Sequence, residues 1–191
     1  MIAALFVEAR GVYAGRAGVD PWDVSRDARS YTGTAPAVAH PPCERWGRWW
    51  WADGSAAPGN DGGCFASALE AVERCGGVIE HPAYSHAWAA FDLPRPSPGG
   101  GWTRNLYRPG WSCHIEQRHY GHKARKATWL LYTGVRPPAE LVWGPSTVTP
   151  RPWAKARGVL ECLSKRQRAA TPPAFADVLI ALARGALWGG R

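Results

Sequence analysis

Short apolar runs alternate with one segment of helical spacing in the first half of the chain. Residues 2–7, 35–39 and 78–79 with their flanks are apolar runs that predict buried strands. Between the last two runs, residues 61–77 repeat apolar side chains at a helical period and end in two glycines, a common helix stop. A strand, a helix and a strand in this order predict an α/β sheet.

The second half is richer in turn residues. Residues 111–117 and 127–132 alternate in the manner of paired strands, and residues 173–187 predict a terminal amphipathic helix. We therefore predict a single domain over residues 1–191, with these parts: a catalytic α/β half at 1–92, a Pro/Gly loop at 93–110, a basic strand pair at 111–135, and a linker with the C-terminal helix at 136–191.

The length of 191 residues suffices for one buried core and leaves little room for a second full domain. No run approaches the roughly 18 apolar residues of a membrane span, so a transmembrane protein is excluded. Residues 2–7 lack a basic start, and Glu8 and Arg10 follow them directly, which indicates a strand and not a signal peptide. We expect a cytoplasmic protein.

Five cysteines, with no Cys-x-x-Cys pair, fit neither a disulfide framework nor a zinc ribbon. We expect reduced thiols and no metal site. Cys64, Cys75 and Cys162 occur in helix-like patterns and are interpreted as small buried hydrophobic residues.

Charge is divided unevenly along the chain. Residues 1–100 contain 8 basic and 11 acidic residues, a net charge of −3, whereas residues 101–191 contain 15 basic and 4 acidic residues, a net charge of +11. In the second half, cations alternate with aromatic rings, as in Arg104, Tyr107, Arg108, Trp111, Arg118, His119, Tyr120, Lys123, Arg125 and Lys126. Cations for phosphates and rings for bases favour DNA as the partner over a face that serves only solubility.

The most informative segment is residues 37–47, Ala-Val-Ala-His-Pro-Pro-Cys-Glu-Arg-Trp-Gly. An apolar strand runs into two prolines and presents Cys43 at the carboxyl end of the strand, where open α/β sheets bind their ligands. A thiol held by a stiff turn at that position is placed to attack a substrate. The alternative is that Cys43 is a small buried hydrophobic residue, which is the commoner fate of a free cysteine.

Residues 37–47 resemble the catalytic loop of DNA cytosine-C5 methyltransferases, and most of all small phage-type proteins of that kind. Three further segments resemble motifs of that family in the same order: the second catalytic strand at 76–82, the basic strand near the target base at 120–130, and the closing motif before the last helix at 163–175. The resemblance implies a truncated Rossmann-like, methyltransferase-type sheet with a basic C-terminal extension. It also implies the cytoplasm of the host cell if the protein is phage-encoded.

The resemblance also implies residue roles. Cys43 would add to C6 of a flipped pyrimidine, Glu80 would hold the base edge, and Arg125 or Lys126 would stabilise the charge that develops on the ring. The substrate-binding residues implied around them are His40, Pro42, Arg45, Trp46, His81, Tyr120, His122 and Thr128. Glu80 could instead be an ordinary exposed carboxylate, Arg125 and Lys126 could contact phosphates, and Trp46 could belong to the core. Because both faces of one strand cannot bury three consecutive tryptophans, we expect at least one of Trp49, Trp50 and Trp51 to be exposed as a stacking or wedge side chain.

The resemblance breaks at the methyl donor. The family binds S-adenosylmethionine through a glycine-rich loop after the first strand, a helix, and an acidic residue that ends the second strand. Only about 30 residues separate the first strand from Pro41, the length of a single strand-helix-strand unit, so the donor site is expected to be degenerate.

The leading hypothesis is therefore an enzyme that hypermodifies DNA: thiol addition at C6 activates a 5-hydroxymethyl pyrimidine that carries a leaving group, and a small-molecule nucleophile replaces that group. The first alternative is a minimal cytosine-C5 methyltransferase that uses S-adenosylmethionine. The second is a DNA-binding module without catalysis. The sequence leaves the pyrimidine, the donor and the oligomeric state open.

Overall fold

The computed structural model describes residues 1–52, 54, 57–138, 141–147 and 163–186. The strands within these ranges are β1 (Ile2–Leu5), β2 (Val19–Trp22), β3 (Ala37–Ala39), β4 (Gly77–Pro82), β5 (Trp102–Arg104), β6 (Trp111–Glu116) and β7 (Ala127–Thr133). The α-helices there are α1 (Cys64–Cys75), α2 (Ala87–Ala90), α3 (Lys165–Ala169) and α4 (Pro173–Gly185). Short 3₁₀ turns cover Ala28–Ser30 and Gln117–Tyr120.

The strands form one mixed sheet in the order β2-β1-β3-β4-β7-β6-β5. The first four strands are parallel neighbours, whereas β7, β6 and β5 pair antiparallel. From β1 the chain goes to β2 on one side and later to β3 on the other, so the strand order reverses between β1 and β3. The predicted α/β class is confirmed, and the carboxyl ends of β1 and β3 flank the point of reversal, where such sheets bind ligands.

Helices α1 and α4 cover the two faces of the sheet. Successive strand residues point to opposite faces, so each strand contributes side chains to both. On the α1 face, side chains such as Leu5, Ile79 and Leu131 join the core under α1. On the α4 face, Val38 and Leu130 join a second core under α4. The register of β4 against β7 determines which side chains of the two strands share a face, and therefore which site residues can contact each other.

The predicted strands at residues 2–7, 35–39 and 78–79, the strand pair at 111–117 and 127–132, and the helices near 61–77 and 173–187 all find counterparts in the structure. Two strands escaped prediction. β2 is a four-residue edge strand that contains Pro21, a residue without an N–H to donate, which only an edge tolerates. β5 has three residues and interrupts the predicted loop at 93–110.

The basic C-terminal region begins with α3. Ser164 and Gln167 cap this helix reciprocally, and its cations Lys165, Arg166 and Arg168 are exposed. Cys162 and most of the predicted linker lie outside the described residues. Within the ranges described, no helix is both long and apolar enough to cross a membrane.

Gly77 opens β4 where a side chain has no room. Its φ is +138°, and a Cβ atom would overlap the carbonyl oxygen of Ala37 on β3.

We expect Gly77→Ala to lower the free energy of unfolding by at least about 4 kcal/mol in urea denaturation, because the β3–β4 pairing would be forced apart. Gly185→Ala is the matched control. It has open space around the new Cβ and an ordinary φ, so stability should stay within about 1 kcal/mol of the parent. Equal effects at the two glycines would contradict this account of the β3–β4 contact.

Candidate functional site

The site is built where β3 ends. The N–H of His40 donates to the carbonyl of Leu5 at 3.0 Å, which joins the end of β3 to the end of β1. After Pro41 and Pro42, the carbonyl of Cys43 accepts from the N–H groups of Trp46 and Gly47, which closes a turn. The half-buried Cys43 is thus fixed at the carboxyl edge of the parallel strands.

Glu80 lies on β4 on the α4 face and is 8% exposed. Its Oε2 is 2.9 Å from Nδ1 of His40, and its Oε1 accepts from Nε2 of Gln117 at 2.9 Å. The expectation of an ordinary exposed carboxylate is therefore excluded. Glu80 is a buried carboxylate with a partner on each oxygen.

Burial by itself would raise the pKa of Glu80. The hydrogen bond from His40 and the charges of His40, Lys126 and His81 together outweigh burial and lower the pKa to about 2. Glu80 is consequently ionised at neutral pH. It can accept hydrogen bonds from a bound molecule, but it cannot serve as a proton donor.

Gln117 continues the network on the other side. Its Nε2 also donates to Oγ1 of Thr128 at 3.0 Å, and that hydroxyl donates to the carbonyl of Lys126 at 2.9 Å. The Oε1 of Gln117 is buried without a hydrogen-bond partner. The predicted residues Glu80, Thr128 and Lys126 therefore belong to one connected group.

His40 links Glu80 to Tyr13. The hydroxyl of Tyr13 lies 2.7 Å from Nε2 of His40, and the ring of Tyr13 is buried. Burial, followed by the charge of Glu80, raises the pKa of Tyr13. The hydroxyl thus keeps its proton and can donate to Nε2 of a neutral His40, whose Nδ1–H then donates to the carboxylate.

Cys43, Glu80 and Lys126 are within electrostatic reach of one another. Burial, then the charges of Glu44 and Glu80, raises the pKa of Cys43, and the charge of Lys126 opposes this rise. Burial lowers the pKa of Lys126, and the charges of Glu80 and Cys43 oppose the fall. Nζ of Lys126 donates to the carbonyls of Ala169 and Ala170 at 3.1 and 3.0 Å, so the C-terminal end of α3 holds the cation in place.

The predicted role of His81 in lining the pocket needs correction. It follows Glu80 directly on β4 and so points to the opposite, α1 face, where its ring packs against Phe65 and Trp88. Neither ring nitrogen has a hydrogen-bond partner of good geometry, although the Pro42 carbonyl lies close enough to raise its pKa slightly. His81 is a core residue.

Three other predicted substrate contacts serve the fold. Trp46 is buried against Phe65 and Phe91, and its indole N–H donates to Asp61 at 2.8 Å. Tyr120 packs on Phe175, and its hydroxyl accepts from the N–H of Val142. His122 is buried, with Nε2 against the Gln167 carbonyl and Nδ1 against the backbone of Ala124. These rings hold the turn after Cys43 and the basic loop to the protein. Trp46 belongs to the core, the alternative that its sequence allowed, and a contact of Tyr120 or His122 with the base stays a prediction.

Pro42, Arg45 and Arg125 lie beside the group. Pro42 is exposed next to Cys43, and Arg45 is half-buried in the following turn with its carbonyl accepting from Gly59. Arg125 is half-buried in the segment before β7, with its carbonyl accepting from the N–H of Arg118. The charge of Lys126, one of the two predicted cations, acts on both Cys43 and Glu80.

Sequence reasoning missed Tyr13 and Gln117. A signal for Gln117 existed: it continues the alternation of Cys113 and Ile115, and the register Ile115↔Thr128 places that face beside Thr128. No local pattern marks Tyr13, which reaches His40 from 27 residues away through an irregular loop.

The residues between β1 and β2 do not fit S-adenosylmethionine as the resemblance would require. Residues 6–18 form turns, and Tyr13 from this segment occupies the space beside His40. Asp20 of β2 is engaged by Nε1 of Trp22 at 2.9 Å and by Arg26, whose hydrogen bond lowers its pKa. The positions that should cradle the donor are filled by the chain's own side chains.

No group of three or more His, Cys, Asp or Glu side chains among the described residues is placed to hold a metal ion. Comparisons with protein-family models, with curated proteins and with solved structures found no match to this chain. The site must therefore be interpreted from its own chemistry.

The buried ring of His81 predicts acid sensitivity. Burial lowers its pKa from 6.5 to about 4, so the unfolded chain binds the proton more readily. The stability due to neutral His81 is complete above pH 6.5 and is lost as the pH falls toward 4, by about 3 kcal/mol in total. We expect His81→Phe to remove this dependence of the free energy of unfolding on pH, measured by urea denaturation between pH 7 and 4. His86→Phe changes an exposed histidine and should keep it. An unchanged slope in His81→Phe would contradict the placement of His81 in the core.

Proposed function

We propose that this chain is an enzyme that modifies pyrimidine bases of DNA, with the Cys43 thiolate adding to C6 of an extruded base. The observation that supports it most is the grouping of Cys43 and Lys126 with a buried, ionised Glu80 at the carboxyl edge of β3 and β4. A nucleophile, a cation and a fixed acceptor are the three groups that this reaction needs.

The chemistry proceeds by addition and elimination. The Cys43 sulfur bonds to C6, and the electrons of the C5–C6 double bond move into the C4 carbonyl, whose negative charge Lys126 stabilises. When the electrons return, the leaving group departs from the carbon attached to C5 and leaves an exocyclic double bond. An incoming amine adds to that carbon and loses a proton to solvent, and return of the electrons expels the Cys43 thiolate and restores the C5–C6 double bond.

The reacting atoms lie inside a duplex, so the base must be flipped out or already single-stranded. Directly after the Cys43 turn, Trp49 and Trp51 are 63% and 53% exposed, which confirms that at least one tryptophan of this run faces solvent. The two rings are 5.6 Å apart, and Arg48 lies over the ring of Trp49. Exposed indoles beside a guanidinium form a surface on which bases can stack.

A basic surface continues from the site toward α3. Arg118 and Lys123 are exposed in the segment before β7, and His122 joins this segment to the Gln167 carbonyl of α3. Lys165, Arg166 and Arg168 of α3 are exposed next to it. Clustered cations adjoining the Lys126 side of the site suit a DNA backbone.

The sheet supports a truncated Rossmann-like assignment. The parallel order β2-β1-β3-β4 contains the reversal at which such folds bind ligands, and His40 and Cys43 follow β3 at that point. The filled segment between β1 and β2 disfavours the alternative of a minimal methyltransferase dependent on S-adenosylmethionine.

The thiol step can be tested with a single-stranded oligonucleotide that carries a 5-(phosphonooxymethyl) pyrimidine. We expect an acid-quenched covalent adduct whose mass is the sum of protein and oligonucleotide less one phosphoric acid. Cys43→Ser should form none, whereas Cys64→Ser, the control thiol, should react like the parent. Because the pKa of Cys43 is raised, the rate should increase about tenfold per pH unit between pH 7 and 8.5. Full reactivity of Cys43→Ser would contradict the mechanism.

DNA binding tests the stacking surface separately. Trp49→Ala should weaken the binding of single-stranded DNA by about tenfold or more in fluorescence anisotropy, because base stacking contributes about 1–3 kcal/mol per ring. Leu106→Ala removes an even more exposed apolar side chain from another loop and should not change the affinity. If DNA binds through Trp49 but neither adduct nor product forms, the module without catalysis is the correct reading.

A further inference from the structure

A protonated carboxyl group needs an acceptor for its O–H, whereas the groups that hydrogen-bond to Glu80 are placed as donors. His40 Nδ1 lies 2.9 Å from Oε2, and Gln117 Nε2 lies 2.9 Å from Oε1. If both of these neighbours are donors, the carboxylate is complemented only as an anion.

The network fixes the orientation of the Gln117 amide. The Thr128 hydroxyl donates its single proton to the Lys126 carbonyl. Its oxygen can therefore only accept a hydrogen bond from Gln117. The group that faces both Thr128 and Glu80 must therefore be the amide nitrogen, and its two hydrogens are both used.

The tautomer of His40 is fixed in the same way. The Tyr13 hydroxyl, buried with the raised pKa described above, donates to Nε2, which must then be unprotonated in the neutral ring. The neutral ring therefore has its proton on Nδ1, and a charged ring has a proton on both nitrogens; in either form Nδ1–H points at Glu80. A proton placed on Glu80 would face two donors and find no acceptor among them.

Each carboxylate oxygen has a second lone pair, so Glu80 can still accept from a base edge. Cytosine presents an N4 amino donor beside an unprotonated acceptor at N3, so an anionic carboxylate can accept from N4 but is repelled at N3. A uracil-type base, whether uracil, thymine or 5-hydroxymethyluracil, presents N3–H, a donor. From the donors arranged around Glu80 we infer that the base accepted by this site is of the uracil type and is held through its N3–H; this inference rests on the function proposed above.

The chemistry of C6 attack agrees with this choice. Cytosine becomes electrophilic at C6 when N3 gains a proton, and Glu80, with a pKa near 2, has no proton to supply. A uracil-type ring already has its N3 proton, and the developing charge goes to O4. The site then needs a cation, and Lys126 is within electrostatic reach of both Cys43 and Glu80.

The test uses exchange at C5, which reports thiol addition to C6 without any donor molecule. Single-stranded oligonucleotides with one 5-deuterated deoxyuridine or one 5-deuterated deoxycytidine are incubated with the protein at pH 8, and deuterium loss is followed by mass spectrometry. Each rate is divided by the rate that free cysteine gives with the same oligonucleotide. We expect the protein to favour uracil over cytosine by at least about tenfold on this scale.

Variants separate the base assignment from the thiol mechanism. Glu80→Gln introduces an amide that can donate to N3 of cytosine, so it should shift the preference toward cytosine by about tenfold or more. Glu44→Gln removes an exposed carboxylate next to Cys43 and should change both rates by the same factor. Cys43→Ser should show no exchange with either base.

The possible outcomes are distinct. A normalised preference for cytosine, or none, overturns the uracil assignment and leaves the thiol mechanism standing. No exchange with either base by the parent protein overturns the proposed function, and the assignment falls with it. The parent's own ratio decides the question if Glu80→Gln does not fold.

Discussion

The site depends on one buried anion. Glu80 sits within the sheet, where an isolated carboxylate would be strongly destabilised, and it is stable there because His40 and Gln117 each donate to one of its oxygens. The same two contacts impose order on their surroundings. They set the tautomer of His40, and through it the role of Tyr13, and they set the orientation of the Gln117 amide and its bond to Thr128.

The mixed sheet is what allows these groups to meet. His40 comes from the end of a parallel strand, Glu80 from the next strand, and Gln117 from the antiparallel half. Because side chains alternate along a strand, Glu80 and its neighbour His81 lie on opposite faces of the sheet. Glu80 contacts this group, and His81 packs in the aromatic core on the α1 face. The junction between the parallel and antiparallel halves, at β4 and β7, therefore brings the site residues together and separates them from the core on the α1 face.

The predictable parts of this molecule are those with local signals. Two prolines mark the end of β3 and so point to Cys43, helical spacing predicts α1, and Glu80 is singled out by the resemblance of residues 76–82 to a family motif. The pairing of strands could also have located Gln117, since it extends the alternation of β6. Tyr13 had no such signal, because its contact with His40 depends on an irregular loop that is pinned to α4 by Arg16, whose guanidinium reaches the Pro173 carbonyl and Asp177. An aromatic ring near a motif can brace a turn as easily as it can contact a ligand, and Trp46 and His122 both hydrogen-bond to neighbouring segments of the chain.

At neutral pH Glu80 is an anion that only accepts hydrogen bonds, and its ionisation can be observed directly. The carboxyl carbons of glutamate can be labelled with ¹³C, and the resonance of Glu80 assigned by its loss in Glu80→Gln. We expect this resonance to keep the chemical shift of a carboxylate from pH 8 down to pH 4, because the pKa of Glu80 is about 2. A midpoint above pH 5 would show a carboxyl group that can donate a proton, and would contradict both the network and the acceptor role derived from it.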